Sequence, residues 1–435
     1  MRIRTVSAVA IALAANGLLG GTSGAQARGR APMTREAARA HAVELLSATP
    51  LVDGHNDLPW AIREQKGMER DVDAYDLRKT TPHQTDLARI RAGHLGGQFW
   101  SVYIPGEIRD SGYARVQLEQ IDIARRVIAK YPEAFQAAGT AADVRAAFKN
   151  HRVGSLLGME GGHAIENSLG ALRAYYEMGV RYMTLTHNVT LDWADAALDT
   201  AKHGGLTNFG KEVVREMNRL GMLVDISHVS PGTMSDALDV SEAPVIFSHS
   251  SARAVVDHPR NVPDSILKRL PKNGGVVMVT FVPGFDSPAV RAHSLARAAE
   301  QAAARTRNGG NADAIARDMR TWDAAHPAPH ATIADVANMI DHVKNVAGAA
   351  HVGIGSDFDG VDDELPDGLE DISKFPDLFA ELIVRGWTDA QLKGLAGENV
   401  LRALETAEKV SARLKRERAP STRTIEEMDG KRAKM

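Results

Sequence analysis

The sequence of 435 residues contains no cysteine. A disulfide framework, a cysteine-based zinc site and a thiol nucleophile are therefore excluded. Any metal ion must be held by histidine and carboxylate side chains, a ligand set that suits a catalytic site. The chain also lacks a strong excess of either charge, with a formal net charge of −3. This balance argues against nucleic acid as a partner, because phosphate binding needs a basic surface.

The N-terminus has the features of a secretory signal. Two arginines precede an apolar stretch at residues 6–19, and Ala25-Gln26-Ala27 fits the small-x-small cleavage pattern. We expect residues 1–27 to be cleaved and the protein to be periplasmic or secreted. No membrane anchor is expected, because the apolar stretch is short for a bilayer span, no cysteine can carry a lipid, and the end of the chain is charged.

Eight apolar runs rich in β-forming residues recur along the rest of the chain, mostly with helical material between them. These runs are 51–55, 99–104, 153–159, 182–186, 223–227, 244–248, 274–282 and 351–356. Alternating strands and helices predict a parallel sheet, and eight repeats predict a closed (β/α)8 barrel of the TIM type. We assign this barrel to residues 33–411 and a charged C-terminal tail to residues 412–435.

Residues 283–330 interrupt the alternation. Two helical stretches, 289–306 and 313–324, flank a break at Asn308-Gly309-Gly310-Asn311. We interpret the segment as an insertion after the seventh strand, at the rim where site residues are expected. It can cap the site, contact a partner or form a flexible surface excursion, and the sequence leaves these alternatives open.

Several side chains that can bind or serve metal ions follow or close the apolar runs. They are His55, Asp57, Glu160, His187, His228, His249 and Asp357. Because barrel strands deliver their last side chains to one rim, we expect these residues to converge. His55 and Asp57 are two apart on a strand and so face the same side. A carboxylate such as Glu160 can bridge two metal ions.

The remaining candidates have roles that the residue types alone leave open. Asp357 is a candidate proton-transfer acid, with Asp359 as its competitor. His187 is not needed as a ligand and can stabilise an oxyanion. The serines beside His228 and His249 either orient the rings or cap the following helices. Two mixed sites that share one acid suit zinc, with manganese or iron less favoured, and predict hydrolysis through a metal-bridging water. No Gly-x-Ser-x-Gly elbow offers a serine route.

These motifs, in this order, resemble the membrane dipeptidase (renal dipeptidase-like) family of zinc metallopeptidases. The matching stretches lie between about residues 40 and 405 and are DGHNDLPW (53–60), GMEGGH (158–163), LTHN (185–188), ISHVS (226–230), PVIFSHSS (244–251), RNVP (260–263) and GSDFDG (355–360). The resemblance implies two zinc ions per chain. It places His55 and Asp57 on one ion and His228 and His249 on the other, with Glu160 as the bridge.

The resemblance also implies roles around the metal ions. Asp357 matches the acid that shuttles the proton, His187 the histidine near the scissile carbonyl, and Arg260 the arginine that holds the C-terminal carboxylate of the substrate. The family hydrolyses dipeptides and tolerates a D-residue on the C-terminal side, and some members open β-lactams or dehydropeptides. A homodimer is also expected by resemblance.

Two other functions stay open from the sequence. A different barrel amidohydrolase, acting on a β-lactam or an N-acyl amino acid, would share the metal centre. Against it, the first strand supplies His-x-Asp rather than His-x-His, and no lysine ends the fourth run. A non-catalytic, metal-stabilised binding protein is the third possibility. The full ligand set together with Asp357 argues against it.

Overall fold

The computed structural model describes residues 33–108, 112–361 and 364–430, so the expected signal segment, residues 1–27, lies outside the described residues. The strands within these ranges are β1 (Leu51–Asn56), β2 (Leu95–Ser101), β3 (Phe135–Ala137), β4 (Val153–Glu160), β5 (Val180–Thr184), β6 (Leu223–Asp225), β7 (Val245–Phe247), β8 (Val276–Val279) and β9 (Val352–Ile354).

Helices surround the strands. Those up to β8 are α1 (Arg35–Ala48), α2 (Leu58–Glu64), α3 (Leu87–Ala92), α4 (Tyr113–Lys130), α5 (Ala141–Lys149), α6 (Leu169–Glu177), α7 (Asn208–Leu220), α8 (Pro231–Val240), α9 (Asp264–Leu267) and α10 (Leu270–Asn273). After β8 come α11 (Pro283–Asp286), α12 (Pro288–Arg307), α13 (Ala312–Ala325), α14 (Ile333–Ala347), α15 (Phe375–Val384), α16 (Asp389–Lys393), α17 (Asn399–Glu417) and α18 (Ile425–Asp429). None of the helices in the described ranges combines the length and apolar character that a membrane crossing requires.

The strands form a closed parallel barrel. Hydrogen-bonded neighbours follow the order β2, β1, β9, β8, β7, β6, β5, β4, and β2 pairs with β4 to complete the ring. The short β3 pairs with the first residues of β4, from Val153 to Ser155, whereas β5 pairs with β4 from Leu157 onward. The predicted (β/α)8 barrel of the TIM type is therefore confirmed.

All eight predicted runs correspond to barrel strands, with differences in extent. β2 begins at Leu95 rather than at residue 99. The early part of the strand contains Gly96 and Gly97, which are poor strand formers, so the sequence pattern does not mark its beginning. A side chain at Gly96 would meet Pro50 at 2.8 Å, and one at Gly97 would meet Val52 at 3.0 Å. Close packing thus requires glycine inside a strand, where the residue type predicts a break. The three-residue β3 was not predicted.

Burial of the strands follows from their position between the barrel interior and the surrounding helices. Every residue of β1, β2 and β4 is buried. Strands covered on both sides carry continuous apolar sequences rather than alternating ones. This is why the runs could be found in the sequence without a period-two pattern.

The ends of several helices agree with the signals in the sequence. Thr34 caps α1 by accepting a hydrogen bond from the Ala37 amide, and Gly221 ends α7 in the left-handed conformation. At the C-terminus, α17 runs through the expected boundary at residue 411, and α18 docks on the start of α7, where the Thr207 hydroxyl donates to Asp429.

The predicted insertion contains a helical hairpin. Helices α12 and α13 lie side by side, and Arg297 pairs with Asp323 across them at 2.8 Å. The short α11 connects β8 to this hairpin. It places Phe285 beside the C-terminal rim of the barrel, so the first residues of the insertion contribute to the wall of the site.

Candidate metal centre

The predicted site residues that end or directly follow a strand all lie at the C-terminal rim. His55 is part of β1 and Glu160 is the last residue of β4, whereas the others follow their strands within three residues: Asp57 after β1, His187 after β5, His228 after β6, His249 after β7 and Asp357 after β9. Parallel strands deliver their C-terminal side chains to one mouth of the barrel. The expected convergence is therefore observed.

Glu160 lies at the centre of the cluster. Its Oε1 is 3.0 Å from Nε2 of His228 and 3.4 Å from Nε2 of His249. Its Oε2 is 3.5 Å from Nε2 of His55, which lies 3.1 Å from Asp57 Oδ2. The two carboxylate oxygens thus face two different groups of ligands, as a carboxylate that bridges two metal ions requires.

His55, His228 and His249 each have Nδ1 in a hydrogen bond. Nδ1 of His55 is 2.8 Å from the Tyr182 hydroxyl, which itself donates to the Gly54 carbonyl at 3.2 Å. Because that hydroxyl has only one proton, His55 must donate from Nδ1. Nδ1 of His228 is 3.0 Å from Asn188 Oδ1. These bonds leave Nε2 of each ring turned toward Glu160, and histidines that bind metal usually donate their other ring N–H to a neighbouring oxygen in this way.

The serines beside the histidines have separate roles, which settles the alternative that the sequence left open. Ser248 Oγ bonds the Nδ1 of His249 at 2.9 Å, so it orients the ring. Ser230 accepts from the Thr233 amide and caps α8. The Ser227 hydroxyl accepts from the backbone amide of His249.

Two buried aspartates beneath the rim were missed by the sequence interpretation. Asp53 accepts hydrogen bonds from the amide and the hydroxyl of Ser356, at 2.7 and 2.6 Å. Asp225 makes the same pair of bonds with Ser248, at 2.9 and 2.6 Å. A signal did exist in the sequence. The tripeptide Leu-Val-Asp occurs shortly before His55, at residues 51–53, and again shortly before His228, at residues 223–225.

Strained backbone occurs at two of the site residues. His228 has φ 63° and Asp357 has φ 68°, both in the left-handed region. Non-glycine residues in that region cost free energy and persist where the surrounding structure imposes them. After Asp357 the chain turns through Gly360, where a side chain would meet Asp57 Oδ2 at 2.2 Å. The loop after β9 therefore packs directly against the ligand cluster.

Asp357 and its competitor Asp359 face different surroundings. Asp357 Oδ1 lies 3.9 Å from His55 Nε2 and lines the cavity at the rim. Asp359 accepts a hydrogen bond from the Gln84 amide at 2.7 Å and does not line that cavity. The geometry thus favours Asp357 as the acid of the site and makes Asp359 an anchor for a neighbouring loop.

Protonation is suited to metal binding at two of the histidines, His228 and His249. Burial lowers the pKa of His228 and of His249 well below the ordinary value, so both rings are neutral at neutral pH. Glu160 keeps its charge, because its histidine neighbours, led by His55, outweigh burial and hold its pKa well below the usual range. Burial, reinforced by the charges of Asp57 and Glu160, raises the pKa of Asp357 to about 8.

The donor set fits the metal ions that the residue types predict. His55 Nε2 and Asp57 Oδ1 are buried and have no hydrogen-bond partner. Unpartnered buried polar atoms are costly and rare in proteins. Three groups in the described ranges bring ligand atoms within 4.8 Å of one another, namely His55 with Glu160 and His249, Glu160 with His187 and His228, and His55 with Asp57 and Asp357. The second group includes His187, which the residue types did not require as a ligand.

The cluster opens into a cavity of about 440 Å³. Arg260 lines it, is buried, and has an Nη1 atom without a hydrogen-bond partner. Its guanidinium lies 5.6 Å from the ring centre of Phe285. The other lining residues include Trp60, Tyr103, Leu198, Val282 and Val361. The cavity therefore combines a metal-binding floor, one buried cation and an apolar wall.

A parallel barrel whose rim carries such a His/carboxylate cluster defines the class of metal-dependent hydrolases. The profile of the membrane dipeptidase family, peptidase family M19, matches residues 39–418. An uncharacterized dipeptidase of Schizosaccharomyces pombe is 42% identical over an alignment of 390 residues, which covers 85% of this chain and 83% of that protein. The chain therefore belongs to the membrane dipeptidase family, the resemblance stated from its motifs is confirmed, and its class of activity is that of a metallo-dipeptidase.

Solved structures agree with this assignment. The probable dipeptidase PvdM from Pseudomonas aeruginosa has a TM-score of 0.73 at 25% identity, over 86% of this chain and 99% of that one. A metallo peptidase from Rhodobacter sphaeroides, liganded with a phosphinate mimic of the dipeptide L-Ala-D-Ala, has a TM-score of 0.68 at 24% identity, over 82% of this chain and 99% of that one. The latter likeness concerns the fold.

Proposed function

We propose that this chain is a zinc-dependent dipeptidase with two zinc ions, which hydrolyses the peptide bond of dipeptides. The observation that carries the proposal is the position of Glu160, whose two oxygens face the His228/His249 pair and the His55/Asp57 pair separately. One ion is assigned to each pair, with Glu160 shared. Zinc held there would supply Lewis acidity and an activated water at neutral pH.

The chain's own residues account for binding of the substrate. Arg260 offers a buried guanidinium with a free Nη1 to the C-terminal carboxylate of a dipeptide, a pairing that gives strong, directed hydrogen bonds. Its other amino group is already directed at the His249 carbonyl, 3.4 Å away, which fixes its orientation. A cavity of about 440 Å³ is at the small end for ligand sites and suits a dipeptide.

Two further residues supply proton transfer and charge stabilisation. Asp357, whose pKa burial raises to about 8, can accept a proton from the attacking water and pass it to the leaving amine near neutral pH. His187 has a pKa lowered by burial and an edge contact with Tyr103 at 4.8 Å. It is therefore neutral and held in place, and it can donate a hydrogen bond to the oxyanion.

The test is hydrolysis of a dipeptide panel by the zinc-loaded protein, with and without a chelator. The panel contains L,L-dipeptides and L-Ala-D-Ala, together with a β-lactam and an N-acyl amino acid for the alternative amidohydrolase function. We expect dipeptide cleavage that is lost with the chelator and restored by zinc. Zinc-loaded, folded protein that leaves every dipeptide intact would refute the proposal.

The role of Asp357 is tested by Asp357→Asn. Asparagine tolerates the left-handed backbone at this position, so we expect bound zinc to be retained and kcat to fall by about 10²–10⁴-fold. Asp359→Asn is the matched control, because Asp359 has the same backbone conformation and faces Gln84 instead of the cavity. Unchanged kcat in the Asp357 variant removes that residue from the mechanism.

We further propose that the protein is exported and forms a homodimer. Export rests on the arginines and the apolar stretch before Ala27, and the dimer on family resemblance. N-terminal sequencing of the protein from its native host tests cleavage after Ala27, and light scattering on the purified protein gives its mass. An intact N-terminus or a monomer contradicts the respective expectation.

A further inference from the structure

Asp225 lies beneath the metal centre at the end of β6 and is completely buried. Its Oδ1 accepts from the backbone amides of Ser227 and Ser248, at 3.1 and 2.9 Å. Its Oδ2 accepts from the hydroxyls of Thr184 and Ser248, at 2.5 and 2.6 Å. All four of these groups, which belong to three residues, act as donors, and a carboxylate can accept all four bonds.

The bond from Ser248 determines where the proton of His249 lies. A hydroxyl has one proton, and Ser248 directs it to Asp225. Ser248 Oγ can therefore only accept from His249 Nδ1, which is 2.9 Å away. His249 then carries its ring proton on Nδ1 and keeps a lone pair on Nε2, which lies 2.8 Å from Nε2 of His228 and 3.4 Å from Glu160 Oε1.

We infer that Asp225 is a positioning residue that sets the tautomer of His249 through Ser248 and so strengthens metal binding by the His228/His249 pair. The inference rests on the proposed function, because it requires His249 to bind metal through Nε2. Asp225 itself touches neither metal nor substrate.

The three histidines differ in what lies behind them. His55 donates to a neutral phenol and His228 to a neutral amide oxygen. Of these three, only His249 is connected to a carboxylate, through Ser248. Carboxylates behind metal-binding histidines raise the basicity of the ring and orient it. We call the hydrogen-bonded chain from Asp225 through Ser248 to His249 the relay. It should therefore affect the metal ion at the His228/His249 pair more than the other ion.

Asp225→Asn should reverse the relay instead of merely weakening it. The oxygen of the new amide must take the position of Oδ1, because two backbone amides donate there. The NH₂ group then replaces Oδ2 and donates to the Ser248 hydroxyl. That hydroxyl turns its own proton to Nδ1 of His249, which forces the ring proton onto Nε2, the nitrogen that faces the metal.

Asp53 provides a matched control. It accepts from the amide and hydroxyl of Ser356 at 2.7 and 2.6 Å, in the same geometry and equally buried. Ser356 Oγ is otherwise near the His55 carbonyl and the Phe358 amide, and it bonds no imidazole nitrogen. Asp53→Asn thus removes an equivalent buried carboxylate without touching the His249 tautomer.

The experiment records ¹⁵N NMR spectra of histidine-labelled, zinc-free protein and measures the affinity for zinc alone by chelator competition. The His249 signals are those that disappear in His249→Gln. We expect the Nδ1–H tautomer in the parent and in Asp53→Asn, and the Nε2–H tautomer in Asp225→Asn. Zinc affinity of one site should fall about 10–100-fold in Ser248→Ala, as for a lost outer-shell partner, and further in Asp225→Asn.

An Asp225→Asn protein that keeps the Nδ1–H tautomer, or an Asp53→Asn protein with the same change in the His249 signals, overturns the inference. If Asp225→Asn does not fold, Ser248→Ala decides, and unchanged zinc affinity in that variant is a negative result. Failure of the proposed function is distinguishable. If the proposed function fails, the parent protein cleaves no dipeptide. If the inference about Asp225 fails, the parent is active, and the variants leave the His249 tautomer and the zinc affinity unchanged.

Discussion

The substitution Asp286→Asn should make the folded protein more stable at neutral pH. This residue ends α11 and is completely buried. Its Oδ1 accepts from the Ser251 hydroxyl at 2.5 Å, whereas its Oδ2 has no hydrogen-bond partner. Burial raises the pKa of Asp286 well above the usual range, against the opposing effect of the Ser251 bond.

The sign of the pH dependence follows from that shift. The folded protein binds this proton more tightly than the unfolded chain, so its contribution to stability is fully present below the unfolded pKa and is lost as pH rises through the folded pKa. The loss amounts to about 1.4 kcal/mol for each pH unit between the two pKa values. Asp286→Asn keeps the shape and the acceptor for Ser251 and cannot ionise. Its free energy of unfolding should therefore exceed that of the parent by an amount that grows with pH.

The assay is thermal unfolding of zinc-free parent and variant from pH 4 to pH 9, in chelator so that metal does not titrate. A chain of this length should gain about 1–2 °C in Tm for each kcal/mol. Asp257→Asn is the control, because Asp257 is exposed and Arg253 lowers its pKa below the ordinary value, so the difference between this variant and the parent should stay nearly constant above pH 4. A difference between Asp286→Asn and parent that stays constant with pH would refute the reasoning.

Three further outcomes follow from the structure. Gly158→Ala should lower the free energy of unfolding by at least about 1–3 kcal/mol, as measured by denaturant unfolding, because its Cβ would lie 2.0 Å from a ring atom of buried Tyr182; stability equal to the parent would contradict this packing. Arg260→Met should raise KM for dipeptides more than it lowers kcat. The variant should also bind dipeptides with a free C-terminal carboxylate no better than C-terminally amidated dipeptides, as measured by their KM values. Zinc at 1,000 times its Kd should stabilise the protein by about 4 kcal/mol over the chelated form, and a Tm that is independent of zinc would exclude a bound ion.

The convergence of these side chains at the rim could be predicted because they interrupt apolar sequence. His55, Glu160 and His249 each end or follow a run of buried residues, and a charged or imidazole side chain there needs a reason. The barrel topology then explains why positions far apart in the chain meet. Tyr182 carried no such signal, because an aromatic side chain inside a strand reads as an ordinary core residue. The signal for Asp225 was the Leu-Val-Asp tripeptide that it shares with Asp53.

The start of β2 shows a different limit. Gly96 and Gly97 are poor strand residues by propensity, and their presence delayed the predicted start of the strand to residue 99. The glycines are needed because Pro50, which precedes β1, and Val52, which lies in β1, occupy the space that a side chain would fill. Such contacts involve residues distant in sequence, so no local pattern reports them.

The sequence by itself determined which chemistry is available. With no cysteine, the metal-binding groups had to be histidines and carboxylates, and their places after apolar runs put them at the ends of strands. Only the tertiary structure decided which oxygen of Glu160 faces which histidine and which nitrogen of each ring is left for metal. The reason is physical, because these relations depend on the register between β1, β4, β6 and β7, and register arises when the barrel closes.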